Sequence, residues 1–110
     1  MEGKIVYIIG AITGDPNHKE KFEKAQKALE SIGCVVLNPD ILPVGMRYEQ
    51  YIRIDHAMLM EADVVCVLDD WESSKGARYE MEAVKCYGKP WFLFSSWKFN
   101  MKQAGAEVVE

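Results

Sequence analysis

Four short apolar runs divide this chain into alternating segments. They occupy residues 4–9, 34–37, 63–68 and 91–94, and apart from a charged first residue in two of them they are apolar throughout. The first three runs are typical of buried strands, which are covered on both faces of a sheet, and the fourth run predicts a further strand. A helical pattern follows each of the first three runs. The alternation therefore predicts a three-layer Rossmann-like (flavodoxin-like) α/β fold, a parallel sheet of 4–5 strands with helices on both faces.

The helical patterns between these runs have recognisable ends. Asp15 and Pro16 suit an N-cap and a first helical residue, and Gly33 suits the end of the same helix. We expect further helices over residues 47–61 and from a cap at Ser73 or Ser74 to Tyr87, a short helix over residues 97–103, and an edge strand over residues 106–109. The apolar stripe of the second helix consists of Tyr48, Tyr51, Ile52, Met58, Leu59 and Ala62.

The size and charge of the chain limit its partners. Its 110 residues predict one domain, residues 1–110, whose small core favours a homodimer or larger homo-oligomer. A net charge of −4 argues against binding to polymeric nucleic acid, which requires a basic face. Without a signal peptide or membrane-spanning stretch, we expect a cytoplasmic protein with no membrane partner. The cysteines are expected to be free thiols, and no residue spacing suggests a metal site.

Two carboxylates occupy positions where the helical patterns are apolar. Asp55 falls inside the stripe of the second helix, and Glu80 lies at the edge of the stripe of the third. A buried carboxylate is costly unless it is paired, hydrogen-bonded or protonated, and such groups cluster at functional sites. Both are therefore candidate catalytic residues. Structural alternatives remain open. Asp55 would pair with Arg47, Arg53 or Arg78, or cap a neighbouring loop, and Glu80 would face solvent.

The carboxyl ends of the predicted strands are where we expect a ligand. In open parallel sheets, ligands bind beyond these ends, near the point where the strand order reverses. The loops there are residues 10–16, 38–45 and 69–76. The amides of residues 10–14 suit a phosphate or a sugar, although a plain turn has the same sequence pattern. Residues 73–76 suit a 5′-phosphate at a helix start, or serve only as an N-cap.

The loop after the third strand also carries acidic and aromatic candidates. Asp69 and Asp70 end a buried run, where each either binds a ligand or satisfies turn amides. Trp71 would stack on a base or belong to the core. The same two alternatives apply to Tyr48, Tyr51 and Tyr79.

Several short motifs in a fixed order resemble a known enzyme group. They are residues 7–14 (YIIGAITG), 36–39 (VLNP), Asp55 with residues 62–63 (AD), and Trp71 with residues 74–80 (SKGARYE) and 88–90 (GKP). In these motifs the chain is similar to the nucleoside 2-deoxyribosyltransferase superfamily. It most resembles the small bacterial and phage branch called DUF4406, and it also resembles the deoxynucleoside 5′-monophosphate N-glycosidases. The resemblance extends to about residue 90.

The resemblance implies a covalent mechanism with a role for each matched residue. Glu80 matches the nucleophile that attacks C1′ of the sugar, and Asp55 matches the aspartate that binds the base and protonates it. Ser74 matches a serine of the N-glycosidase phosphate site, which favours a nucleotide over a nucleoside. No metal or cofactor is implied, and members share site residues between subunits. The residues expected to bind substrate are Gly10, Ile12, Thr13, Gly14, Asp69, Trp71, Ser74 and Gly76.

Two segments depart from the superfamily pattern. Met81-Glu82 stands where Leu-Gly usually follows the nucleophile, and Ala11-Ile12-Thr13 stands where the glycosidases have Ser-Ile-Arg. The expected function is cleavage or transfer of the N-glycosidic bond of a 2′-deoxyribonucleotide or nucleoside. The alternative is a non-catalytic nucleotide-binding module, a sensor or sponge. A third hypothesis is a partner-binding domain whose contact surface is the 97–110 tail, with Trp97 and Phe99 exposed.

Overall fold

Strands and helices alternate along the chain as the sequence predicts. The computed structural model describes residues 1–97. Its elements are β1 (Ile5–Ile9), α1 (His18–Glu30), β2 (Val35–Leu37), α2 (Tyr48–Glu61), β3 (Val64–Val67), α3 (Lys75–Cys86) and β4 (Trp91–Leu93), with single 3-10 turns at Pro39–Ile41 and Trp71–Ser73. The strands form one parallel sheet in the order β2-β1-β3-β4. This confirms the predicted α/β fold. Apart from Trp97, the helix and strand expected beyond residue 96 lie outside the described residues.

The two faces of the sheet bury different helices. Val6 and Ile8 of β1 point toward α1 and pack with Phe22, Ala25 and Leu29 of that helix. The alternate residues of β1 join a second core cluster with side chains of α2 and α3: Tyr7, Ile9, Leu59, Ala62, Ala77, Met81 and Val84. Because successive strand residues point to opposite faces, α1 lies on one side of the sheet and α2 and α3 on the other.

Two details of the sequence prediction are wrong. The strand at 34–37 was expected to be buried, but β2 is an outer strand of the described sheet and its Val35 is 54% exposed. The first helix starts at His18, because the Asp15 side chain accepts a hydrogen bond from the Asn17 amide and holds the chain in a turn.

No helix of the described residues has the length and hydropathy to span a bilayer.

The stripe of α2 is buried only at its end. Leu59 is the one fully buried residue of this helix, whereas Tyr48 is 62% exposed, so its predicted place in the core is wrong. The amino-terminal half of α2 faces a cavity instead of the sheet. Exposed apolar side chains continue into the preceding loop, where Ile41 is 76% and Val44 is 93% exposed. The homo-oligomer expected from the sequence stays a prediction.

A close contact fixes the chain where β1 ends. The amide of Leu68 donates to the carbonyl of Ile9 at 2.8 Å, which brings the end of β3 against Gly10. A Cβ at Gly10 would lie 2.7 Å from Cδ1 and 3.0 Å from Cβ of Leu68. Since the Cβ of Leu68 is fixed by its backbone, only a residue without a side chain fits at this position.

We therefore expect Gly10→Ala to lower the free energy of unfolding by about 1–3 kcal/mol through overpacking. Gly76→Ala is the matched control, because the nearest atom to its Cβ, Ser74 Oγ, is 3.9 Å away and alanine favours a helix. Urea denaturation of both variants measures the difference. A Gly10→Ala protein as stable as the wild type would contradict the contact.

Candidate functional site

A cavity of about 1070 Å³ opens at the carboxyl ends of β1, β2 and β3. The strand order reverses at β1, whose neighbours β2 and β3 lie on opposite sides of it, so the cavity occupies the position expected for a ligand in this fold. Its walls come from the loops after these strands and from the facing ends of α1, α2 and α3. The lining residues include Gly10, Ile12, Thr13, Gly14, Asp15, His18, Lys19, Asp40, Val44, Tyr48, Tyr51, Ile52, Asp55, Ser74, Lys75, Gly76 and Glu80.

Most residues predicted for the site meet at this cavity, but two do not line it. Asp69 is exposed, and its carboxylate accepts a hydrogen bond from the Ser95 hydroxyl at 2.8 Å. The side chain of Trp71 packs against the core cluster of α2 and α3. The first loop, Asp55, Ser74, Gly76 and Glu80 are all part of the lining.

Glu80 is held by a tyrosine from the central part of the sheet. The hydroxyl of Tyr7 donates to Glu80 Oε2 at 2.5 Å, and Tyr7 itself has no exposed surface. On α3, Ala77, Met81 and Val84 are buried against the sheet, and Glu80 occupies the adjoining position at the cavity. The solvent-facing alternative for Glu80 is therefore wrong. Tyr7 fixes one carboxylate oxygen and leaves the other for a ligand.

The environment of Glu80 favours its neutral form. Burial raises the pKa of this carboxyl from 4.5 to about 8; the Tyr7 hydrogen bond opposes the rise, and the charge of Asp55 adds to it. The pKa of the Tyr7 phenol is raised as well, by burial first and then by the nearby Glu80 and Asp55. The Tyr7 phenol therefore keeps its proton at neutral pH and can donate a hydrogen bond.

Asp55 faces the cavity without a polar partner at one oxygen. Its Oδ1 is buried and makes no hydrogen bond with the described residues. None of the ion pairs formed by residues 1–97 joins it to an arginine, and Arg78 donates to the carbonyl of Glu72 instead. Burial raises the pKa of Asp55 from 3.8 to about 6. An unpaired carboxyl with this pKa is suited to exchanging a proton with a ligand.

Salt bridges and turns support the loops of the cavity. The amide of Ala11 donates to Asp70 Oδ1 at 3.1 Å, so Asp70 has the turn-satisfying role considered for it. The ammonium group of Lys21 contacts both Asp15 and Asp70, which joins the first loop to the end of β3. Ser74 Oγ accepts from the Ala77 amide at 3.2 Å, which confirms it as the N-cap of α3.

Sequence reasoning missed two groups of this site. Tyr7 was part of an apolar run, although its hydroxyl is the only side-chain hydrogen-bonding group between Ile5 and Ile9 and could have suggested a buried partner. The second group is a pair, His18 Nδ1 with the Asp40 carboxylate, at 2.8 Å. No cluster of three or more potential metal ligands exists in residues 1–97.

Comparison with known proteins identifies the family. A model described as a domain of unknown function (DUF4406) matches residues 4–92. The chain belongs to the DUF4406 family. A solved 2-deoxyribosyltransferase from the psychrotolerant bacterium Bacillus psychrosaccharolyticus matches with a TM-score of 0.65 and 20% identity, over 81% of this chain and 70% of that one. At this identity the likeness concerns the fold. No curated protein matches the sequence. The resemblance stated above is confirmed in family and in fold.

The raised pKa of Glu80 makes stability of this DUF4406 domain depend on pH. Between pH 4.5 and about 8 the folded protein binds a proton at Glu80 that the unfolded chain releases, so stability falls as pH rises through this window. Glu80→Gln removes this titration. We expect the variant to gain about 4 kcal/mol relative to the wild type between the two ends of the window.

Urea denaturation at pH 5, 6.5 and 8 tests this expectation. Glu82→Gln is the control, because it removes an exposed carboxylate from the same helix. Its difference from the wild type should stay constant with pH. Parallel stability curves for the wild type and Glu80→Gln would show that Glu80 titrates normally in the folded protein.

Proposed function

We propose that this protein cleaves or transfers the N-glycosidic bond of a 2′-deoxyribonucleoside or its 5′-phosphate, through a glycosyl ester on Glu80. The observation that carries the proposal is that two carboxyl groups from different helices, Asp55 and Glu80, line the same cavity, close enough for the charge of Asp55 to raise the pKa of Glu80. The shared fold with a 2-deoxyribosyltransferase supports the same class of reaction. The cavity volume of about 1070 Å³ is ample for a nucleotide.

The reaction needs opposite protonation states at the two carboxyl groups. The Glu80 oxygen not bound by Tyr7 attacks C1′, the C1′–N bond breaks, and its electron pair leaves with the base. Asp55 gives its proton to the departing base. The ionised Glu80 stabilises the positive charge that develops at C1′ and then traps it as an ester. In the next step water or a second base attacks C1′, gives its proton to Asp55 and breaks the ester bond, which releases Glu80 as a carboxylate.

The pKa values of the free protein place the protons mostly the other way round. With Asp55 at about 6 and Glu80 at about 8, the dominant singly ionised form has Asp55 charged and Glu80 neutral. The productive form, with the proton on Asp55 and the charge on Glu80, is then the minor of the two singly ionised forms. Catalysis through this minor form is slower but intact, and its rate should follow a bell-shaped pH profile with limbs near the two values.

A second function is favoured by the same protonation pattern. A neutral Glu80 at neutral pH suits a domain that binds a nucleotide or nucleoside without breaking it. Such a sensor or sponge would use the same cavity. Calorimetry that detects tight nucleotide binding, together with no release of base over long incubation, would favour this function over the enzyme.

The proposed nucleophile is tested by substitution. We expect Glu80→Gln to reduce base release from 2′-deoxynucleosides or their 5′-monophosphates by at least about a thousandfold, because no ester can form. Chromatography of released base measures the rate. Intact-mass spectrometry after acid quenching should show a wild-type adduct of one sugar unit on α3.

The control for this substitution is again Glu82→Gln, which removes an exposed carboxylate from the same helix and should keep the wild-type rate. Equal base release by the wild type and Glu80→Gln would exclude Glu80 as the nucleophile.

The Tyr7 hydrogen bond should appear in the pH dependence of the reaction. Since this bond lowers the pKa of Glu80, Tyr7→Phe raises it and makes the productive protonation state rarer. We expect the maximum of kcat/KM to fall about tenfold and the alkaline limb to move to higher pH, while the acid limb near pH 6 stays in place. A profile that only scales down, without movement of the alkaline limb, would contradict this role.

A further inference from the structure

A tyrosine hydroxyl closes the turn at residues 43–46, between β2 and α2. The hydroxyl of Tyr51 donates to the carbonyl of Pro43 and accepts from the amide of Met46 at 3.3 Å. Pro43 and Met46 are the ends of this turn, and no backbone hydrogen bond among residues 1–97 joins them. Gly45, between them, has a φ of 100°, a left-handed conformation that favours glycine. The Tyr51 hydroxyl thus takes the place of the direct hydrogen bond that closes many turns of this length.

The turn presents an apolar side chain at the opening of the cavity. Val44 lies between Pro43 and Gly45; it is 93% exposed, and it is still one of the lining residues. Covering an apolar side chain that is almost entirely in water stabilises a complex. Because Tyr51 holds both ends of the turn, little conformational entropy is lost when Val44 makes such a contact.

The same tyrosine adjoins the proposed catalytic acid. Tyr51 and Ile52 precede Asp55 by four and three residues on α2, which makes them its neighbours on the surface of the helix. All three residues line the cavity. On the proposed function the departing base lies at Asp55, so the base also lies beside Tyr51 and Ile52. Val44, which is held through the Tyr51 hydroxyl, continues this surface toward solvent.

This surface offers the base few polar groups. The O–H of Tyr51 is already bonded to Pro43. The side chains of Ile52 and Val44 are apolar. Asp55 supplies a carboxyl group, whose buried Oδ1 makes no hydrogen bond with the described residues. Beyond that one carboxyl group, a base gains affinity on this surface through the apolar area that it covers.

We propose that Val44, positioned by Tyr51, packs against the base of the bound ligand and favours a purine over a pyrimidine, which offers less apolar area. Val44 contacts the ligand, whereas Tyr51 is a positioning residue that acts through Val44. The inference rests on the proposed function and deepens it, because it names a residue that selects among bases.

Truncation of Val44 tests the contact. Calorimetry in the Glu80→Gln background, where the ligand survives, measures the affinities of 2′-deoxyadenosine, 2′-deoxycytidine and their 5′-monophosphates. We expect Val44→Ala to lower the affinity for the purine ligands about fivefold and for the pyrimidine ligands about twofold, since the base covers the lost methyl groups on one side only. The side chain is almost fully exposed in the free protein, so the variant should be as stable in urea as its parent.

Ile41→Ala is the matched control for this truncation. Ile41 belongs to the same loop and is 76% exposed, but it is outside the cavity lining. Its truncation should leave the affinities for all ligands unchanged. Equal losses in the two variants, or a Val44→Ala loss that is the same for purine and pyrimidine ligands, would overturn the contact.

A double-mutant cycle tests the positioning role of Tyr51. Tyr51→Phe keeps the ring on α2 and removes the hydroxyl that joins the ends of the turn. We expect it to lower the purine affinity about threefold when Val44 is present and to have no effect in the Val44→Ala variant. Tyr79→Phe removes a hydroxyl from an exposed tyrosine of α3 outside the cavity lining and should change neither affinity. Independent losses from Tyr51→Phe and Val44→Ala would overturn the positioning role.

The kinetics of base release give a second readout. Because the contact is present before the glycosidic bond breaks, Val44→Ala should raise KM for the purine substrate and leave kcat and the limbs of the pH profile in place. A lower kcat at unchanged KM would assign Val44 to the chemical step and overturn its role as a binding contact.

These outcomes can be distinguished from those of the proposed function. If the ligands bind but Val44→Ala and Ile41→Ala behave alike, the inference fails and the glycosidic reaction stands. If none of the ligands binds, the inference and the proposed function fail together.

Discussion

The site depends on one hydrogen bond between the sheet and a helix. Tyr7 lies in β1, which has a neighbouring strand on each side, and Glu80 lies on α3, which packs over the same face. Their contact at 2.5 Å fixes the carboxyl group at the cavity and limits how far its pKa rises. Because β1 is paired on both edges, the hydroxyl is held by the most constrained part of the fold. A rigid donor of this kind orients a reactive group without reorganising during the reaction.

The same arrangement stores an unfavourable interaction in the folded state. Asp55 and Glu80 are both largely removed from water, and both raise the pKa of Tyr7. Neither forms an ion pair with a cation among the described residues. Carboxylates that support the loops do have a cation, since Asp15 and Asp70 both form a salt bridge with Lys21. Charges are thus paired where loops are held together and left unpaired where chemistry is proposed, which is the usual trade of stability for activity.

The fold could be predicted from the sequence because the patterns that indicate strands and helices are local. The apolar runs and the two carboxylates in apolar stripes could be found by spacing alone, and so could the N-cap at Ser74. Burial at the sheet edges could not, because the outer position of β2 and β4 follows from strand order and not from their own residues. The partner of Tyr7 lies 73 residues further along the chain, a contact that no local pattern contains. The same holds for His18 and Asp40, which meet only after α1 has folded back onto β2.

The uneven construction of the cavity has an evolutionary consequence. One wall is built from β1 and α3 and is tied to the core, whereas another comes from the loop between β2 and α2, where Val44 is 93% exposed. Loops of this kind accept substitutions and changes in length at little cost to the rest of a domain. Related chains can therefore diverge in ligand choice by remodelling this segment while keeping the two proposed catalytic carboxyl groups, and laboratory selection for new specificity is best directed there.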